Sequence, residues 1–183
     1  MRKLLITMSA IALGAMPAAG IAQTMTPEQV GAAPMTGTPS ENYVAWAADS
    51  DKYEIQSSKI ALSKSKSDAT KAFAREMIAD HTTTTKTLMA ALPKTEPKVK
   101  RPPSALSEPN AAKIAALKEA DADSFDALYM QQQAEAHKMA WSLHKGYSTD
   151  GQDPALKAVA DSAVPIIEKH LAHVQAGGAA GGM

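Results

Sequence analysis

Four ligand-type side chains, Glu54, His81, His137 and His170, each fall near the inward stripe of a different predicted helix. An unpaired carboxylate or imidazole inside a bundle costs several times the net worth of one hydrogen bond, so each needs a partner there. Imidazole and carboxylate suit a transition metal (zinc, iron or copper), and four-coordinate geometry can be assembled from separate helices. The same residues can also satisfy one another, with Glu54 and His81 as a buried hydrogen-bonded pair that fixes helix register. Asp80, immediately before His81, either orients a ring or faces solvent.

Other chemistries find less support. A di-iron carboxylate site needs Glu-x-x-His on two helices, whereas Ile78, Ala134 and Ile167 stand three residues before the three histidines. The chain has no Cys, which excludes thiolate ligation and disulfides. Met77, Met130 and Met139 are scattered rather than clustered, no Ser sits in a nucleophile elbow, and Asp150-Gly151-Gln152-Asp153 lacks the alternating acids of a calcium loop. No catalytic residue emerges. His144 and His173 lie near helix ends, where a solvated or carbonyl-capping imidazole is the common case.

Four long helices must position the candidates. Thr38-Pro39-Ser40-Glu41 reads as a capping box, and the stripe Tyr43, Trp46, Ser50, Tyr53, Ser57, Ile60, Lys64 carries a first helix to about Lys66. Ser67 or Asp68 caps a second, with Phe73, Met77, His81, Thr84 and Leu88 inward, ending near Leu92. Prolines 93, 97, 102, 103 and 109 make a long crossover whose basic cluster, Lys98, Lys100 and Arg101, reads as solvated. A short helix over Asn110 to Glu119 precedes a third long one, with Phe125, Leu128, Gln132, Ala136, Met139 and Leu143 inward, to about Tyr147. Asp153 and Pro154 start the fourth, with Leu156, Val159, Ala163, Ile167, His170 and Val174 inward and a kink expected at Pro165. The fold class is all-α, a four-helix bundle over residues 38–176, with a flexible lead-in at 23–37 and a Gly/Ala tail at 177–183.

Residues equally far from a tight turn lie at equal depth in antiparallel helices. Glu54, 13 residues before Ser67, and His81, 14 after it, should therefore face each other. His137 and His170 are mismatched by roughly 9 Å if both helices are straight.

Met1-Arg2-Lys3, the apolar run Leu4 to Met16 and the small-residue stretch Gly20-Ile21-Ala22 read as a signal peptide over residues 1–22, giving a periplasmic or secreted protein. The run holds 13 residues before Pro17, short of the roughly 20 that span a bilayer, so no transmembrane segment is expected in the mature chain. Cleavage removes Arg2 and Lys3 and leaves a net charge of −2, which speaks against nucleic acid as a partner. A homo-oligomer is compatible with the pattern, and no protein partner can be named from it.

The segments Phe73-Ala74-Arg75-Glu76-Met77-Ile78-Ala79-Asp80-His81, Phe125-Asp126-Ala127-Leu128-Tyr129-Met130 and Asp153-Pro154-Ala155-Leu156-Lys157 together resemble one exported, ferritin-like family, catalogued as domain of unknown function 4142. Its members are often labelled only as periplasmic or outer-membrane proteins. The resemblance runs from about Asn42 to Gln175 and implies that recurrent polar positions fall on Glu54, Asp80, His81, His137 and His170. Family members usually carry an acid immediately before the third-helix histidine; this chain has Ala136 there and Glu135 one place earlier. The resemblance implies a fold and a compartment, and brings no established reaction. Two functions follow as expectations: a non-catalytic binding or stress-related accessory protein, or a metalloprotein with redox chemistry at the bundle centre.

Overall fold

A computed structural model describes residues 25–180, with side chains to residue 176; the expected signal peptide and its cleavage site lie outside the described residues. The helices are α1 (Ser40–Lys64), α2 (Asp68–Ala91), α3 (Glu108–Glu119), α4 (Phe125–Asp150) and α5 (Pro154–Ala180), with a single 3-10 turn at Leu92–Lys94. There is no strand among the described residues.

Local signals set most of these bounds. The Ser67 hydroxyl caps α2 by accepting the Thr70 N–H at 3.2 Å. Asp153 caps α5 through Oδ1, which accepts the Leu156 N–H, while its Oδ2 accepts the Glu96 N–H and ties the crossover down. The capping box expected at Thr38 does not form: α1 starts at Ser40, and the Thr38 hydroxyl donates to the Met35 carbonyl. Helix α5 runs on to Ala180, past the start of the expected tail and through Gly177 and Gly178, because each residue added to an existing helix gains a backbone bond without a new nucleation cost.

α1 packs between α2 and α4, and α5 closes the square between α2 and α4. Tight turns make α1/α2 and α4/α5 antiparallel. The crossover then climbs the outside of α1, where Lys52 donates to the carbonyls of Pro103 and Ala105, Asp49 accepts from Ser107 and Asn110, and Lys64 donates to the carbonyls of Lys118 and Ala120.

The lead-in is docked rather than free. Met35 N–H donates to the Ser142 carbonyl at 2.7 Å and Gly37 N–H to Asp150. Gly146 permits this approach, since a Cβ there would stand 2.0 Å from the Met35 carbonyl oxygen.

The apolar core is divided. One cluster gathers Phe73, Met77, Phe125, Tyr129, Trp141, Ile167 and Leu171 towards one end of the bundle. A second gathers Tyr43, Val44, Leu88, Leu143, Tyr147, Leu156 and Val159 towards the other. Buried polar residues lie among them: Asp51, Glu54, Ser57, His81, Gln133, His137, His144 and His170. Trp46 and Met139, expected on inward stripes, are 47% and 64% exposed. Both α1 and α4 instead turn polar residues inward at Asp51 and Gln133.

Candidate metal centre

Histidines from three helices meet in this polar layer: His81 on α2, His137 on α4 and His170 on α5, all buried. One ring nitrogen from each lies within 4.8 Å of the other two. His137 Nε2 and His170 Nδ1 are 3.2 Å apart, so the straight-helix mismatch does not materialise. Two causes close the gap. α4 extends to Asp150, three residues beyond the expected end. Side chains also lean towards their own helix N-terminus, which tilts His137 away from the α4/α5 turn and His170 towards it.

Each ring is held by its other nitrogen. His81 Nδ1 donates to Asp51 Oδ1 at 2.9 Å, His137 Nδ1 to the Gln133 carbonyl at 2.8 Å, and His170 Nε2 to Asp80 Oδ2 at 3.0 Å. Asp51 also accepts from the Thr84 and Thr85 hydroxyls, each at 2.9 Å. Asp80 thus orients the ring of His170, not that of its neighbour His81. The partner of His81 is Asp51, which the sequence reading did not single out, although it lies one helical turn before Glu54.

Proton bookkeeping in this chain of contacts is informative. A neutral imidazole carries one N–H. From the Gln133 carbonyl through His137 and His170 to Asp80 there are three contacts, both ends only accept, and two neutral rings supply two protons. Burial, reinforced by His81 and His170, holds His137 well below the usual imidazole range; burial likewise pulls His170 down to about 4 against the pull of Asp80. Near neutral pH two lone pairs therefore face each other across 3.2 Å. His81 Nε2 points to the same place, buried without a hydrogen-bond partner, and an ion there would take the position of any proton it carries. Burial opposes charge on His81 too, but its hydrogen bond and ion pair with Asp51 outweigh that and raise it.

Glu54 stands apart from this convergence. Its Oε1 is 3.7 Å from His137 Nδ1, the nitrogen already donating to Gln133, so the carboxyl lies at the back of that ring. Neither of its oxygens has a hydrogen-bond partner, and burial pushes the carboxyl up to about 7. The expected Glu54–His81 pair does not form, because Asp51 takes the His81 N–H. His144 is also buried away from the three rings, hydrogen-bonded through Nδ1 to the Tyr43 hydroxyl and pulled down to about 4 by burial. His173 is exposed and stacks on Phe73.

The fold and this centre define an all-α bundle protein with ligand-type groups gathered in its interior. The chain belongs to the family described as Domain of unknown function (DUF4142), whose model matches residues 24–176. None of the curated proteins and none of the solved structures matches the chain.

Proposed function

We propose that this protein is an exported, ferritin-like bundle that binds one transition-metal ion through His81 Nε2, His137 Nε2 and His170 Nδ1. The observation that carries the reading is the meeting of three imidazole nitrogens, each ring fixed from behind by a carboxylate or a carbonyl. That is the outer-shell arrangement that sets the tautomer and raises the basicity of metal-bound histidine. Two nitrogens bound to tetrahedral zinc at about 2.0–2.1 Å stand roughly 3.3 Å apart, close to the 3.2 Å between His137 and His170. Zinc, copper and iron all accept such a donor set. Three imidazoles leave the ion a further position for water or a small ligand, and binding, rather than a reaction carried by the protein's own side chains, is the role these residues support.

Export rests on the charged start, the apolar run and the small-residue stretch ending at Ala22. It agrees with the family match beginning at residue 24, and no helix among the described residues is long and apolar enough to cross a membrane. Ferritin-like topology is supported by the single long crossover between two antiparallel pairs.

The test is a thermal melt of the mature protein with and without EDTA. Chelation should lower the melting temperature of the wild type and leave His137→Gln unmoved, because only a native-state ligand adds stability. A wild-type melt indifferent to EDTA and to added Zn²⁺, Cu²⁺ and Fe²⁺ would remove the metal reading. The structural alternative, a polar layer that fixes helix packing without an ion, would then stand.

A further inference from the structure

Trp46 on α1 and Met139 on α4, large apolar side chains that the bundle leaves exposed, line the same pocket. It lies where α1, α3 and α4 meet, holds about 480 Å³, and has Met35 and Leu143 among its other walls. Exposed apolar groups are ordinary when scattered singly; gathered around a concavity they mark a place that binds something.

The pocket is walled on two sides by straps tied to the bundle. On one side the lead-in brings up Met35, held by its backbone bond to the Ser142 carbonyl and admitted by Gly146. On the other, Asp49 holds the end of the crossover and the start of α3. Its Oδ1 accepts the Ser107 N–H at 2.9 Å, and its Oδ2 accepts the Ser107 hydroxyl at 2.6 Å and the Asn110 side-chain amide at 2.8 Å. Three donors thus already occupy that carboxylate. Lys113, half-buried on α3, supplies a positive charge to the same pocket. Its Nζ lies 5.7 Å from the centroid of the Tyr53 ring, and among the described residues no carboxylate pairs with it.

We infer that this pocket binds a small amphipathic monoanion, a fatty-acid-like carboxylate, with its head on Lys113 and its apolar tail along Trp46, Leu143 and Met139. The volume is that of a small-molecule site, roughly 300–1,000 Å³. A lysine is a compact point charge, suited to one negative group, and Asp49 in the same wall opposes a second. Methionine side chains adapt to a flexible chain. A second copy of this protein would also cover Trp46 and Met139, but a helix about 10 Å across needs an open groove, and an apolar partner would leave Lys113 without an anion. The site shares no residue with the three histidines and is independent of the metal reading. The plain alternative is that Lys113 rests on Tyr53 as a surface cation–π pair and the pocket takes up only water.

The experiment titrates the mature chain, with EDTA present, with decanoate, decanol and decyltrimethylammonium below their micelle-forming concentrations, followed by tryptophan emission and calorimetry. Trp141 is buried and bonded to Glu168, so a blue shift reports Trp46. Decanoate should bind saturably, one per chain, and the alcohol and the cation at least about tenfold more weakly, the scale of one charge-assisted hydrogen bond. Lys113→Met should remove the preference for decanoate over decanol. Met139→Glu, at an exposed position where the fold tolerates a charge, should weaken decanoate by about tenfold and decanol less. No saturable binding by the wild type, equal affinity for all three probes, or decanoate binding that Lys113→Met leaves unchanged would overturn the inference. So would a wild type that sediments as a dimer and becomes monomeric on Met139→Glu, since the pocket would then belong to a second copy.

Discussion

Glu54 offers a prediction whose sign and size both follow from its surroundings. Its carboxyl is buried with neither oxygen hydrogen-bonded, and burial moves it from 4.5 to about 7. The native protein therefore holds this proton up to about pH 7, whereas the unfolded chain releases it near 4.5. The stability supplied by the bound proton is complete below the unfolded value and is lost as pH rises towards 7. Replacing Glu54 with Met removes that dependence and substitutes an apolar side chain of similar length for an unpartnered acid. Between about pH 5 and pH 8, Glu54→Met should gain about 2.5 kcal/mol on the wild type, at 1.36 kcal/mol per pKa unit. For a chain of this size that is a widening of roughly 5–10 °C in melting temperature. The lowered pKa values of His137, His144 and His170 weaken both proteins alike on the acid side, and the difference reports Glu54 together with its attraction to His81, which it helps to raise. The assay is urea unfolding by circular dichroism across this range, with EDTA present throughout. A gap that stays constant with pH, or widens towards acid, would refute the reasoning.

Three further substitutions test the packing around the centre. Asp51→Ala strands His81 Nδ1 and the Thr85 hydroxyl, leaves Thr84 only the His81 carbonyl, and should cost about 3–5 kcal/mol. Asp51→Asn keeps an acceptor and should cost only about 1–2, so equal losses for the two in urea unfolding would contradict the role given to Asp51. Gly146→Ala forces a methyl group against the Met35 carbonyl and should cost about 1–3 kcal/mol; a wild-type melt would show that the lead-in is not docked there. Phe73→Ala empties a fully buried position in the first core cluster and should cost about 3–5 kcal/mol by the same measurement.

The bundle was legible because its stripes repeat. On α2 four of the five inward residues, Phe73, Met77, His81 and Leu88, are buried and the fifth, Thr84, is half-buried against Asp51, while all six assigned to α5 are buried. The stripes of α1 and α4 were less legible for a physical reason: these helices are covered on more than one side, by α3 as well as by their bundle neighbours. A narrow apolar stripe therefore describes them poorly, and Trp46 and Met139 stay exposed while Asp51 and Gln133 turn in. Of the candidate site, the histidines could be read as residue types at helical spacing. Which nitrogen each ring turns inward could not, since that depends on a backbone carbonyl at Gln133 and on carboxylates from neighbouring helices. Asp51-x-x-Glu54 was the available signal for the missed residue, two acids one turn apart, but equal-depth reasoning favours Glu54, 13 residues before Ser67, over Asp51, 16 before it.

The central claim is that three buried imidazole nitrogens hold one metal ion, and a calorimetric titration tests it most directly. Metal-free mature protein would be titrated with Zn²⁺, Cu²⁺ and Co²⁺, alongside His81→Gln, His137→Gln and His170→Gln. The expected result is one ion bound per chain, with affinity falling as pH drops and protons compete for the imidazoles. Each histidine substitution should weaken binding by at least about tenfold. Absence of saturable binding to the wild type, or a stoichiometry of one that survives all three substitutions, would contradict the account.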